Sequence, residues 1–239
     1  MKKRLLSLLL ASAMLVMTAC GNNTDGDVSN PDDAVVLSQM DEVNTAQLNM
    51  IDDKYRNYYE VFVYSFCDSD GDGIGDIQGL ISKLDYINDG DPTTDTDLGC
   101  TGIWLMPIMP STTYHKYDVI NYKDIDIQYG TLEDFEQLIA ECDERGIDVI
   151  IDLVLNHSSS QHHWFKEATN YLKTLGDGEP SVEDCKYFDY YHFQKESASG
   201  FTKVSGTDWY YECQFWSEMP DMNLGSDLVR AEFEEITSF

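Results

Sequence analysis

Between Asp68 and Asp76 the chain reads DSDGDGIGD, with an acidic residue at every second position from 68 to 72, a fourth at 76, and three glycines in between. Alternating carboxylates on a glycine-rich loop let one short segment surround a hard cation with oxygen ligands. The alternation matches the front of an EF-hand loop, where positions 1, 3 and 5 supply carboxylates and position 6 is Gly. Here those positions are Asp68, Asp70, Asp72 and Gly73, but the bidentate Glu of position 12 is replaced by Gly79. The preceding residues, EVFVYSF, are β-branched and aromatic and make a poor entering helix. The loop therefore reads as a calcium site of another kind, with Asp68, Asp70, Asp72, the Ile74 carbonyl and Asp76 as ligands and water completing the shell. The plain alternative is a solvated acidic turn.

A second group lies in IIDLVLNH (150–157). Strand alternation sends Asp152 and Asn156 to one side and leaves His157 at the strand exit. A carboxylate within so apolar a run is costly unless paired. In a barrel of parallel strands the C-terminal ends face the active site. Taken alone, a satisfied core Asp and a capping Asn would explain the same residues.

The elements around these groups alternate. YYEVFVYSF (58–66) and GIWLMPI (102–108) read as buried strands. Between them, Ile77, Leu80, Ile81, Leu84 and Ile87 fall on one helical face. TLEDFEQLIAECDERG (131–146) predicts a helix capped by Thr131 with Asp134 and stopped by Gly146, and IDVIIDLVLNH (147–157) follows as a third strand. Apolar strands alternating with amphipathic helices predict an α/β fold with a parallel sheet buried on both faces. Residues 158–222, rich in Tyr, His, Trp and Gly, break this rhythm and read as a small insertion after the third strand; a helix resumes at Asp227.

Composition narrows the class. The 239 residues are 42% hydrophobic and 12% aromatic, as in a globular chain, and the net charge of -29 argues against a nucleic-acid partner. MKKRLLSLLLASAMLVMTAC has a basic start, a short apolar run and small residues before Cys20. It resembles a bacterial lipoprotein signal over 1–19, with Cys20 lipidated and an acidic tether over 20–54. That predicts an exported protein held to the membrane, facing outside the cytoplasm, through its lipid alone; a plain secretory peptide is the alternative. Cys67, Cys100, Cys142, Cys185 and Cys213 match no zinc spacing, and an odd number cannot all pair within the chain. A Cys185–Cys213 disulfide is compatible with export.

With GIWLMPIMPS (102–111), YHKYD (114–118) and MPDMNL (219–224) in order beside DSDGDGIGD and DLVLNH, residues 55–239 resemble the α-amylase superfamily, glycoside hydrolase family 13, in its neopullulanase and oligo-1,6-glucosidase-like branch. The resemblance implies a (β/α)8 TIM barrel, of which residues 55–157 give the first three β/α units, 158–222 the inserted domain B and 223–239 the start of the third barrel helix. It implies calcium in the first loop and α-glucan, starch or maltooligosaccharide, as substrate. His157 would hydrogen-bond the sugar in subsite −1, Tyr117 would stack on it and His115 would touch it. Asp152 would orient an Arg from a later strand, and Asn156 would give structural support or serve a second calcium. Asp118, Trp216 and Asp221 match family positions that are functional or architectural.

Tyr114 stands where oligo-1,6-glucosidases carry an acidic residue, which favours an amylase-like, retaining enzyme on α-1,4-glucan over an exo-acting 1,6-glucosidase. The family's nucleophile Asp and acid Glu follow its fourth and fifth strands, so the expectation is an N-terminal portion, inactive as given. The rival from another class is a surface lipoprotein that binds starch without cleaving it. A dockerin-type module would need a second copy of the loop.

Overall fold

The computed structural model describes residues 53–239, so the signal segment, Cys20 and nearly all of the tether lie outside the described residues. Three parallel strands, β1 (Tyr58–Val61), β2 (Gly102–Leu105) and β3 (Asp148–Ile151), form a sheet in that order. Their register places Tyr58, Gly102 and Asp148 side by side at the start and Val61, Leu105 and Ile151 at the end. The strands are shorter than the apolar runs that announce them. The first run leaves the sheet after Val61 and closes into a single turn, α1 (Val63–Phe66).

One face of the sheet is covered. Val61, Ile103 and Leu105 are buried, and Tyr59, Val149 and Ile151 pack against the same core. The other face carries Tyr58, Trp104 and Ile150, all exposed among the described residues, where continuous apolar strands predict burial on both sides. In a closed barrel of parallel strands this second face is the interior.

The 77–87 helix is two short ones, α2 (Ile77–Ile81) and α3 (Leu84–Ile87). Ser82 breaks it by donating its hydroxyl to the Gly79 carbonyl at 2.6 Å, a local bond that competes with helix continuation. The apolar face survives the break, since Ile77, Leu80, Leu84 and Ile87 are fully buried. α4 (Leu132–Glu144) has both halves of its capping box, with Asp134 N–H donating to Thr131 Oγ1 at 3.2 Å and Thr131 N–H to Asp134 Oδ2 at 2.8 Å. Gly146 ends it at φ +70°.

α2 lies so close to the entrance of the acidic loop that a Cβ on Gly79 would sit 2.0 Å from the Cys67 carbonyl oxygen. Gly79→Ala is therefore expected to lower stability by about 1–3 kcal/mol through overpacking against backbone, read as a lower urea midpoint with an unchanged m-value.

The inserted segment is more ordered than its composition predicts. It holds α5 (His163–Thr174) and a three-stranded antiparallel sheet, β4 (Phe193–Gln194), β5 (Phe201–Lys203) and β6 (Tyr210–Glu212), with β6 in the centre. Trp164, Phe165, Ala168 and Leu172 form the buried face of α5, and Phe165 packs edge-on against Tyr191 and Tyr211 at ring distances of 5.1 and 4.8 Å. α6 (Asp227–Ile236) starts at Ser226, whose hydroxyl accepts the Leu228 N–H, and buries Val229 and Phe233. All five described cysteines are free thiols, Cys185 and Cys213 included. Among the described residues no helix is long and apolar enough to cross a membrane.

Candidate active site

The strand exits β2 and β3 open on a cavity of about 560 Å³ lined by His115, Tyr117, residues 152–157, Phe215 and Met219. Four side chains singled out in the sequence, His115, Tyr117, Asp152 and His157, thus share one wall. Asp152 follows β3 immediately, and its Oδ2 accepts the Tyr117 hydroxyl at 2.7 Å. Burial, and then this bond, push the Tyr117 phenol up to about 12, so it stays a neutral donor with a ring free for stacking.

His157 is held from two directions. Tyr122 donates its hydroxyl to the Val154 and His157 carbonyls at 2.9 and 3.1 Å, fixing the turn after β3. The PDM segment pairs alongside, with a bridge between His157 and Asp221 and Met222 N–H donating to the Asn156 carbonyl at 2.8 Å. Asn156 joins these pieces. Its Nδ2 donates to Asp221 Oδ1 at 3.2 Å and lies 3.2 Å from His157 Nδ1. Asn156 thereby ties the end of the third strand's exit segment to the 219–224 segment. Burial lowers the His157 pKa, outweighing the opposite pull of the Asp221 charge and the Tyr117 backbone. The imidazole is therefore neutral at pH 7, and its Nε2 is buried with no hydrogen-bond partner among the described residues. A buried polar atom left unmatched costs about 1–3 kcal/mol, and a ligand hydroxyl entering beside Phe215, whose exposed ring lies 5.4 Å from the imidazole, is a group that could match it.

His115 is oriented by its own loop. Its Nδ1 accepts the Tyr117 backbone N–H at 3.1 Å. A backbone N–H can only donate, so Nδ1 is the acceptor and Nε2 carries the proton. Asp118 closes the same loop from beneath, accepting the hydroxyls of Ser111, Thr112 and Thr113. Burial pushes its carboxyl up, but these bonds outweigh it and hold the pKa below the usual value. Asp221 is raised by burial and spent on the Gln214 amide and Asn156. Trp216 is part-exposed beside Phe215.

The acidic loop is a separate place. Asp68, Asp70 and Asp76 bring carboxylate oxygens within 4.8 Å of one another. Asp68 accepts the amides of Gly71 and Gly73 at 2.7 and 2.9 Å, which hold its carboxyl below the usual range. Those glycines sit at φ +86° and +93°, a backbone few other residues adopt. Asp76 accepts Ser69 N–H and caps α2 through the Gly79 N–H. Asp72 instead accepts the Ile74 N–H at 2.7 Å and stands outside the convergent three. Three hard, charged oxygen donors on a loop with room at both glycines fit calcium chemistry.

Aromatic and imidazole side chains gather around a cavity where β3 ends, under a short antiparallel insertion, at the end of the sheet where β/α barrels carry their active sites. Comparison with known proteins narrows this. Residues 60–239 match the family model described as alpha amylase, catalytic domain. Alpha-amylase 3 of Dictyoglomus thermophilum is 45% identical over 192 residues, covering 77% of this chain and 34% of that protein. The probable oligo-1,6-glucosidase 2 of Bacillus subtilis is 39% identical over 161 residues, covering 66% and 25%. Among solved structures, Eubacterium rectale Amy13B superposes with a TM-score of 0.74 at 55% identity, covering 83% of this chain and 38% of that one. The chain belongs to the α-amylase catalytic-domain family of glycoside hydrolases, and its three parallel β/α units are those of the family's TIM barrel. It spans 25–38% of the length of these relatives.

Phe215 is the cavity residue that lies outside every quoted motif, and Met219 lines the cavity from within MPDMNL without having been singled out. The signal for Phe215 is an aromatic pair, Phe215-Trp216, just before MPDMNL.

Proposed function

We propose that the cavity is the sugar-holding part of an active site for retaining, endo-type hydrolysis of α-1,4-glucan, with calcium in the Asp68–Asp76 loop and export through a lipid on Cys20. The observation that carries the reading is the meeting of His115, Tyr117, Asp152 and His157 on one cavity wall. A neutral imidazole with a bare nitrogen, a second imidazole with its Nε2–H defined, and a phenol ring suit a neutral polyhydroxylated ring with one apolar face. The rings of Phe62 and Tyr64 lie 6.2 and 6.0 Å from that of exposed Tyr114, beside His115, and this cluster suits a substrate longer than one sugar.

Retaining hydrolysis needs two carboxylates, about 5–5.5 Å apart, facing the bond to be cleaved. Among the described residues the cavity wall supplies one, Asp152, already bonded to Tyr117. These 239 residues are therefore expected to hold glucan without cleaving it. Residues 20–239 incubated with soluble starch should release no reducing sugar above a control without protein, and release above it would overturn this reading. His157→Ala should weaken maltotetraose binding by about tenfold, the loss of one buried hydrogen bond and its packing, measured by calorimetry. An oligo-1,6-glucosidase-type exo-enzyme is the second reading, favoured by the similarity to the Bacillus subtilis protein; it predicts isomaltose binding tighter than maltotetraose.

A further inference from the structure

Lys116 stands between the two cavity residues His115 and Tyr117 yet points the other way and is buried. Its ammonium lies 2.8 Å from Asp126 Oδ2, with side chains only 2% and 6% exposed, and donates to Gln128 Oε1 at 2.6 Å. The same ammonium sits 5.2 Å from the centre of the Tyr129 ring. Among the described residues Lys116 is also the one non-glycine with positive φ, +62°. That is a strained conformation for a lysine, and such residues persist where their surroundings over-determine them.

A buried ion pair contributes little net stability beside an apolar replacement, so this one calls for a geometric reason. Asp126 supplies it. Besides Lys116 it accepts the Ser111 N–H at 3.0 Å and the Gln128 N–H at 3.0 Å, and its own N–H donates to the Ile108 carbonyl at 2.9 Å. One residue thus pins the start of the 111–118 loop and its apex through its carboxylate, and the chain leaving β2 through its backbone N–H. Across the left-handed turn at Lys116 the Tyr117 N–H reaches back two residues to His115 Nδ1 at 3.1 Å, and the Thr113 hydroxyl lies 3.1 Å from the same nitrogen.

We propose that Lys116 is a positioning residue for glucan binding: anchored by Asp126 and Gln128, it holds the left-handed turn that locks His115 as its Nε2–H tautomer and presents Tyr117 to the cavity. The inference rests on the functional reading above, and its first test needs no ligand. Imidazole ¹⁵N NMR of the unmodified chain should show His115 as a single Nε2–H tautomer; a mixture overturns the proposal. Lys116→Gly accepts the backbone angle but removes the anchor, and Lys116→Gly with Asp126→Asn also removes the uncompensated charge should the single variant not fold. In the folded variant His115 should become a tautomer mixture, and maltotetraose should bind about tenfold more weakly. An unchanged tautomer and affinity in either folded variant would contradict it. Failure of the unmodified chain to bind maltotetraose while His115 keeps one tautomer would strike the functional reading, separately from the lock.

Discussion

Lowering the pH from 7 to 5 is expected to cost the fold about 2 kcal/mol through one side chain, His162. Its ring is 2% exposed, sits 4.2 Å from Trp164 and 5.7 Å from Tyr122, and caps α5 by accepting the Trp164 N–H on Nδ1 at 3.2 Å. Burial first, and then the neighbouring His163, bring its pKa from 6.5 down to about 3, against the opposite pull of Glu232. Between those two values the unfolded chain takes the proton and the folded chain does not. Stability from this group is therefore complete above pH 6.5 and falls as pH drops below it, by about 1.36 kcal/mol per unit. His157 and His163 are also lowered by burial and act in the same direction. Protonation would also remove the acceptor that caps α5. Denaturant unfolding at pH 7 and pH 5 should show the loss, and His162→Asn, which keeps a capping acceptor, should abolish most of it. An unchanged pH dependence in that variant would remove His162 as the cause.

Calcium at a hundred times its dissociation constant is expected to add about 2.7 kcal/mol of stability. For a chain of this length that corresponds to a rise in Tm of about 5–10 °C. The rise follows from three converging carboxylates, which repel one another until a cation joins them. The informative variant is Asp70→Asn. Asp70 is exposed and accepts the Asp72 amide two residues on at 3.0 Å, whereas Asp76 also caps α2. Asp70→Asn should leave the metal-free Tm within about a degree or raise it slightly, as surface changes do, and should erase most of the calcium shift. A calcium shift of full size in Asp70→Asn would place the ion elsewhere.

The fold was legible where local chemistry decides. Thr131, Asp134 and Gly146 mark both ends of α4, and the buried face Ile77, Leu80, Leu84, Ile87 follows from helical spacing alone. It was less legible where backbone alternatives compete, as at Ser82, whose hydroxyl breaks the second helix in two. α5 was hidden in a segment whose aromatic and histidine content suggested irregular chain, although Trp164, Phe165, Ala168 and Leu172 carry the helical spacing. The site shows the same division. Asp152 and His157 stand out at a strand end and His115 and Tyr117 through the family resemblance of YHKYD, but Lys116 in the same motif carries no such signal. Its burial depends on Asp126 and Gln128, which no short-range pattern links to it.

The measurement that bears most directly on the central claim is a titration of maltotetraose into the unmodified chain, followed by the imidazole signals of its five histidines. The account predicts saturable shifts of His115 and His157, which line the cavity, with His162, His163 and His192 unmoved. Silence at His115 and His157, or equal shifts at all five, would contradict a glucan site on this wall.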